Sequence, residues 1–295
     1  DREGEPEKKR PVNLIIQIEE TGRICKMCSW DYGALDTFKN AAEKRLICDI
    51  TFKAAKFKDS LSFKISELTP SKKISKLPEE KEYDSNEEKD GYVARINELL
   101  ASVNNENYKK IIKELVLDNP DFFTWRAAKA CHHAFEGGLV FHSYNVCVNA
   151  INLANTYANT QDFVVNYDLL ITGALIHDIG KTKEYAKDGE FTFLGQLMSH
   201  LVVGVELIDD VCRKLNIDQY SEDILKLKHI IVSHHGELQY GSPNTPKLPE
   251  AWIIHMADEA DAGCQAMIEN LKYINTGDMT GSIRSLDDGK VFKLY

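Results

Sequence analysis

No apolar run in this 295-residue chain reaches the ~18 residues that a membrane-crossing helix needs, and no signal-peptide pattern is seen. Also missing is a disulfide framework. The seven cysteines are an odd, scattered set, which argues for a reducing compartment. A cytoplasmic protein is therefore expected. Cys25 and Cys28 form a lone C-x-x-C with no second pair at zinc-ribbon spacing, inside a strand-like stretch where residues three apart point to opposite faces. Structural thiols are expected there. Internal repeats are absent. Positive charge is scarce overall, 36 Lys/Arg against 46 Asp/Glu, but unevenly so. Up to Lys76 there are 16 Lys/Arg and 12 Asp/Glu, leaving 20 and 34 for the remainder. A mildly basic N-terminal part beside an acidic remainder is either ordinary surface or the place where a polyanion is gripped first. The chain opens on Asp1, so the natural protein is expected to extend upstream.

What is present falls into three stretches. VNLIIQIEE, RICKMCSWDY, RLICDITFKAA and LSFKISELT are short runs rich in β-formers, and alternation is visible in the last three. Thr21–Gly22 marks a hairpin between the first two, and ALDTFKNAAEK is a short helical insert. Four strands and one small helix suggest a five-stranded OB-like β-barrel over residues 1–69, its first strand missing or lying upstream of Asp1. Trp30, Tyr32, Phe52, Phe57 and Phe63 lie among Lys53, Lys56, Lys58 and Lys64. Stacking rings beside phosphate-binding lysines suit a single-strand binder, though aromatics in a small barrel are more often core. Residues 70–90 are polar and charged and read as a linker. Residues 91–295 form the second domain, an all-α bundle helical to about Leu271 with an irregular tail. Tyr92, Ile96, Leu99, Leu100 and Val103 share one helical face, and Ile111, Ile112, Leu115 and Val116 another.

Within this helical part, LLITGALIHDIGK closes an apolar run with His177–Asp178. His142, His200, the His234–His235 pair and Asp258 each close a similar segment, so all could converge on one point. A single histidine on an apolar face is more often a satisfied core residue than a ligand. Number and mixture change the balance. Asp178 follows Ala174, Leu175 and Ile176, and Asp258 follows Ile253, Ile254, Met256 and Ala257, positions where a carboxylate needs a cation beside it. Imidazole nitrogens and carboxylate oxygens hold first-row divalent metals. Six or seven such groups exceed what one ion needs, which points to two divalent ions with Asp178 as the shared bridge. The mixed set suits manganese, iron, cobalt or zinc rather than calcium. Lys181, one turn beyond Asp178, is either placed to meet a substrate phosphate or solvent-facing. One of His132 and His133, with His133 preferred, would touch the scissile phosphate or protonate the leaving oxygen. Glu237 would orient a ligand or accept a proton.

The order H…HD…H…HH…D resembles the signature of the HD-domain metal-dependent phosphohydrolases. AKACHHAFEGGLVFHS, LLITGALIHDIGKTKEY, LGQLMSHLVVGVELI, HIIVSHHGELQYGSPNTPKLPEAWIIHMADEADA and SIRSLDDGKVFKLY are similar to the YhaM-type 3′→5′ exoribonucleases, which join an OB fold to an HD domain. That resemblance implies one metal site from His142, His177, Asp178 and Asp258. It implies another from Asp178, His200 and His234, with His235 a ligand or a support for one, and it favours Mn²⁺. It further implies trimming of single-stranded RNA, or DNA, from the 3′ end with release of nucleoside 5′-monophosphates. No membrane partner is expected, and a homo-oligomer is compatible with it. The rival activities are a nucleotidase or cyclic-dinucleotide phosphodiesterase, a di-iron oxygenase on an HD-type ligand set, and a non-enzymatic nucleic-acid binder with a relic site.

Overall fold

The computed structural model describes residues 12–17, 24–29, 35–44, 46–57, 60–74, 85–128, 133–158, 163–187, 189–272, 274–283, 286 and 288–295. The chain divides into two compact units, Asp1–Glu82 with Ile268–Tyr295, and Tyr83–Met267.

In the first unit, strands β1 (Val12–Gln17), β2 (Ile24–Ser29), β3 (Leu46–Phe57) and β4 (Ser60–Ile74) lie where the β-forming runs predict them, with helix α1 (Leu35–Glu43) between β2 and β3. The expected OB barrel does not form. The sheet is open, in the order β1-β2-β4-β3, and among the described residues nothing pairs its edge strands β1 and β3. Closing a sheet requires a continuous stagger of strands of matched length. Here β1 has 6 residues against 12 in β3. Among the described residues the two antiparallel hairpins are joined by a parallel bridge, Cys28 to Lys64. Alternation in the sequence identifies strands, but it carries no information on whether their sheet closes. Phe38 and Ala41 of α1 and Ile65 of β4 are buried. Pro70–Ile74 continues β4 rather than opening a linker. The turn at Thr21–Gly22 lies outside the described residues.

The helical part is all-α, as predicted. Its helices are α2 (Ser85–Ser102), α3 (Glu106–Ile112), α4 (Pro120–Thr124), α5 (Gly138–Ala158), α6 (Tyr167–Ile176), α7 (Lys181–Glu184), α8 (Phe193–Leu197), α9 (His200–Leu215), α10 (Glu222–Ser233) and α11 (Pro249–Lys272). Asn105, Asn166 and Thr192 start α3, α6 and α8 by accepting backbone N–H bonds with their side chains. After α3 the chain widens into a π-helical turn, Lys113–Leu117, which keeps Leu115 and Val116 on the buried side with Ile111 and Ile112. Every residue of α6 from Leu169 to Ile176 is buried, with α3, α5 and α10 packed on this helix and Ile254 of α11 beside its Gly173. Beyond α11, Lys293 Nζ donates to the carbonyls of Leu271 and Ile274, both at 2.9 Å, putting a cation at the C-terminal end of that helix. No helix among the described residues is long and apolar enough to cross a membrane.

Candidate metal centre

Because α6 is buried along its length, its C-terminal end delivers His177 and Asp178 into the interior, 0 % and 1 % exposed. The chain then turns sharply through Gly180 into α7. A Cβ at Gly180 would lie 2.0 Å from the carbonyl oxygen of His200, so glycine is required for the start of α9 to come this close. His142 comes from the first turns of α5, and His234 and His235 follow the last residue of α10. Gly236, at φ +78°, turns the chain away, and a Cβ there would strike the His255 ring at 2.3 Å. Asp258 comes from the middle of α11.

These side chains meet around Asp178, and its two oxygens face different partners. On the Oδ2 side lie His142 Nε2 at 3.3 Å and His177 Nε2 at 3.4 Å. Those nitrogens are 3.1 Å apart, and Asp258 Oδ1 is 3.1 Å from His142 Nε2 and 3.9 Å from His177 Nε2. The Oδ1 side holds His200 Nε2 at 3.4 Å and His234 Nε2 at 3.5 Å, and His235 Nε2 lies 3.2 Å from that of His200. Around a divalent ion with bonds of about 2.0–2.1 Å, neighbouring donor atoms lie about 3.0–3.4 Å apart.

The orientation of each imidazole is fixed at its other nitrogen. His177 Nδ1 lies 2.8 Å from Ala174 O, His234 Nδ1 2.9 Å from Ile231 O and His235 Nδ1 3.0 Å from Tyr240 O. His142 Nδ1 is 2.7 Å from Asp261 Oδ2, and His200 Nδ1 is 3.1 Å from Glu184 Oε1. Carbonyls and carboxylates only accept, so each Nδ1 carries a proton and donates it, and each Nε2 is turned to the centre. Two imidazole nitrogens facing each other about 3 Å apart repel unless a proton or a metal cation sits between them. Asp178 Oδ1 and His234 Nε2 are buried and make no hydrogen bond. The donor set fits divalent ions on both sides of Asp178.

The electrostatics differ between the sides. Burial works against a charged His142, but hydrogen bonds to Asp178, Asp258 and Asp261 outweigh it and hold its pKa well above the ordinary value. Burial dominates at His234, pushing it down to about 3 despite Asp178, and also lowers His235, with His200 adding to the effect. Against its own burial, Asp178 is held well below the usual carboxylate range by Lys181, His177 and His142. Lys181 Nζ is 2.6 Å from Asp178 Oδ2. Burial would lower the Lys181 pKa, but Asp178 keeps it raised and the amine charged.

All seven expected ligands are thus brought together, and Lys181 joins them. His133 does not face an open surface. It is wholly buried at φ +58°, with Nε2 2.6 Å from Asp261 Oδ2. Glu237 is exposed and accepts a hydrogen bond from Gln239, away from the cluster. His229 accepts from the Lys247 backbone, and His255 Nδ1 lies 2.8 Å from His234 O. His132, Trp30 and Lys58 lie outside the described residues, as do the side chains of Lys56 and Lys64; Lys53 is exposed on β3. Sequence reasoning missed Asp261, Glu184 and Asn145, which donates to Asp261 Oδ1 at 3.1 Å. A usable signal existed: Asp261 and Asn145 stand three residues after Asp258 and His142, on the same helical faces.

The helical fold and this donor set define a candidate divalent-metal centre. Residues 139–263 match the HD domain family, and this part of the chain is an HD domain. Among curated proteins the chain is similar to the 3′-5′ exoribonuclease YhaM of Listeria innocua, 32% identical over 203 residues, covering 68% of this chain and 63% of that one. It is similar to the proteins of that name from Bacillus licheniformis, 33% identical over 201 residues, and Bacillus subtilis, 32% over 201 residues, each covering 67% of this chain and 62% of the relative. The chain therefore spans a little over three fifths of the length of these relatives. The resemblance drawn from the motifs is borne out. No solved structure matches the chain.

Proposed function

We propose that this protein is a two-metal exonuclease that removes nucleoside 5′-monophosphates from the 3′ end of single-stranded RNA. The observation that carries the two-metal part is Asp178, a single buried carboxylate whose two oxygens face two separate sets of imidazole nitrogens. His142, His177, Asp178 and Asp258 would hold one ion, and Asp178, His200 and His234, with His235 beside them, the other. Bound there, two divalent ions would supply Lewis acidity to a phosphodiester and lower the pKa of water towards neutrality. Mn²⁺ is the ion proposed, and mixed nitrogen and oxygen donors are compatible with it.

The chain's own residues set the conditions for hydrolysis. The protonated Nδ1 atoms keep five Nε2 atoms aimed inward, so the rings need no reorientation to receive cations, and His142 gives up its second proton as an ion binds. Lys181, charged and against Asp178, offers an ammonium to a non-bridging phosphate oxygen. The bond broken is that between phosphorus and the 3′-oxygen of the penultimate nucleotide. Water contributes the hydroxyl of the released 5′-monophosphate and a proton to the new 3′ end. RNA as substrate and the 3′→5′ direction are drawn from the names of the similar proteins.

The test is a 5′-end-labelled single-stranded RNA incubated with the metal-stripped protein and added Mn²⁺. The expected product is a ladder shortening from the 3′ end, with mononucleotides released. Turnover of mononucleotides or cyclic dinucleotides but not of RNA would replace this reading with a small-nucleotide phosphohydrolase. Iron-dependent oxygen uptake without hydrolysis would replace it with an oxygenase.

A further inference from the structure

The five inward-facing histidines are not anchored alike. His177, His234 and His235 donate from Nδ1 to backbone carbonyls, which are neutral. His142 and His200 donate to carboxylates, Asp261 and Glu184. The two carboxylate-backed histidines lie on opposite sides of Asp178, one for each set of donors. We infer that Asp261 and Glu184 are positioning residues that separately control the two ions, Asp261 through His142 and Glu184 through His200. This rests on the two-ion reading above.

Both carboxylates are built into the fold in ways that suit the role. Asp261 stands one turn after Asp258 on α11 and is only 6 % exposed. Its Oδ2 also lies 2.6 Å from His133 Nε2, while its Oδ1 accepts from Asn145, on the same helix as His142. Both oxygens are thereby committed, and the carboxylate cannot swing away from His142. His133 gains a use here: buried, with its backbone at positive φ, it clamps Asp261. Glu184, also 6 % exposed, ends α7, the short helix that Lys181 opens. Its Oε1 accepts from the backbone N–H of His200 at 3.0 Å as well as facing the ring, fixing both the start of α9 and the imidazole that starts it. A Cβ at Gly195 would meet the Glu184 carbonyl oxygen at 2.0 Å, so α8 packs directly on this residue.

Charge gives the arrangement a second consequence. With both ions bound and the histidines thereby neutral, the charged groups named at the centre are four carboxylates (Asp178, Asp258, Asp261 and Glu184) and one ammonium, Lys181. Two divalent cations match the four carboxylates, and Lys181 then leaves one positive charge for an anionic phosphodiester. A carboxylate behind an imidazole also makes its Nε2 a stronger donor than a carbonyl does. Each ion therefore depends on one such pair.

The experiment is Mn²⁺ titration of metal-stripped wild type, Asp261→Ala, Asp261→Asn, Glu184→Ala and Glu184→Gln, with stoichiometry and affinities from calorimetry and paired-ion signals from electron paramagnetic resonance. The Ala variants should each weaken one ion by about 10–100-fold, the usual range for such supports, and abolish the paired signal while the other ion stays bound. Asn and Gln keep size and one acceptor oxygen but drop the charge, so they should show a smaller loss with the same selectivity. Combining each Ala variant with His200→Ala assigns the sides: Glu184→Ala should add nothing to it, whereas Asp261→Ala should weaken the remaining ion by the same factor as in the single variant. Wild type binding fewer than two ions would remove the two-ion reading itself. Wild type binding two, with all four variants binding both at unchanged affinity, would overturn only the roles of Asp261 and Glu184. Loss of both ions together in the Asn and Gln variants would also overturn the separate control.

Discussion

The two sides of Asp178 are built from the same residue types but to different rules. Around Oδ2 the chain gathers His142, His177 and Asp258, with Lys181 against the same oxygen, and His142 is held protonated by its acidic neighbours. Around Oδ1 it gathers His200, His234 and His235, where burial keeps His234 and His235 neutral. The first position is anionic and already occupied by a proton, and the second is a set of open lone pairs. Equal-looking donor counts therefore describe two clusters with different chemistry.

The most severe way to break this comparison is to remove what the sides share. Asp178→Ala should lower RNA hydrolysis by about 10³-fold or more, the scale of losing a main electrostatic contributor, and should reduce bound metal on both sides. Metal analysis alongside the ladder assay checks it, and two retained ions with full activity would refute the bridge. A smaller, one-sided effect is expected from His234→Ala, which should lose one ion and keep the other with His142, His177, Asp178 and Asp258 intact. His235→Ala should do the same more weakly. Equal loss from both sides in either variant would erase the distinction.

Proton release sharpens it further. His142 has a raised pKa without metal, so in the neutral range an ion entering on its side must expel a proton, and affinity there should rise with pH until that pKa is passed. His234, at about 3, has no proton to lose above about pH 5, so its side should bind without release from it. Calorimetry in two buffers of unlike ionisation enthalpy should find one proton-coupled event and one nearly uncoupled, and identical coupling would contradict the assignment. The smallest effect expected is at Lys53, exposed on β3. If it meets a phosphate, Lys53→Ala should flatten the log–log salt dependence of single-strand binding by about 0.7 and leave cleavage of a minimal phosphodiester unchanged. An unaltered slope would place the lysine away from the strand.

Much of the centre was legible because ligand residues break a rule that the rest of the sequence keeps. Asp178 and Asp258 interrupt apolar helical runs, and a buried carboxylate without a cation is too unfavourable to be incidental. The helices were legible from faces such as Tyr92–Ile96–Val103, which are indeed buried. Three things were not. Asp261 and Glu184 lie in ordinary-looking acidic surroundings, and only the folded structure brings their oxygens to His142 and His200. The barrel failed for a different reason. Val12–Gln17 and Leu46–Phe57 are recognisable as strands one at a time, but whether their edges meet depends on stagger and length across the whole sheet. His133 shows a third limit, since a histidine beside a glycine turn reads as accessible until its burial is seen.

The contact between Gly180 and the His200 carbonyl has a consequence of its own. The ligands decide which ions are held, but this backbone contact decides how far apart the two halves of the centre stand. Gly180 carries no donor atom and touches no ion, yet it acts as the gauge of the site. A side chain there would leave every ligand's identity unchanged and still wedge α9 outward, carrying His200 at its start away from Asp178. The identity of the donors and the spacing between them are thus set by different residues, Asp178 and Gly180, only two positions apart.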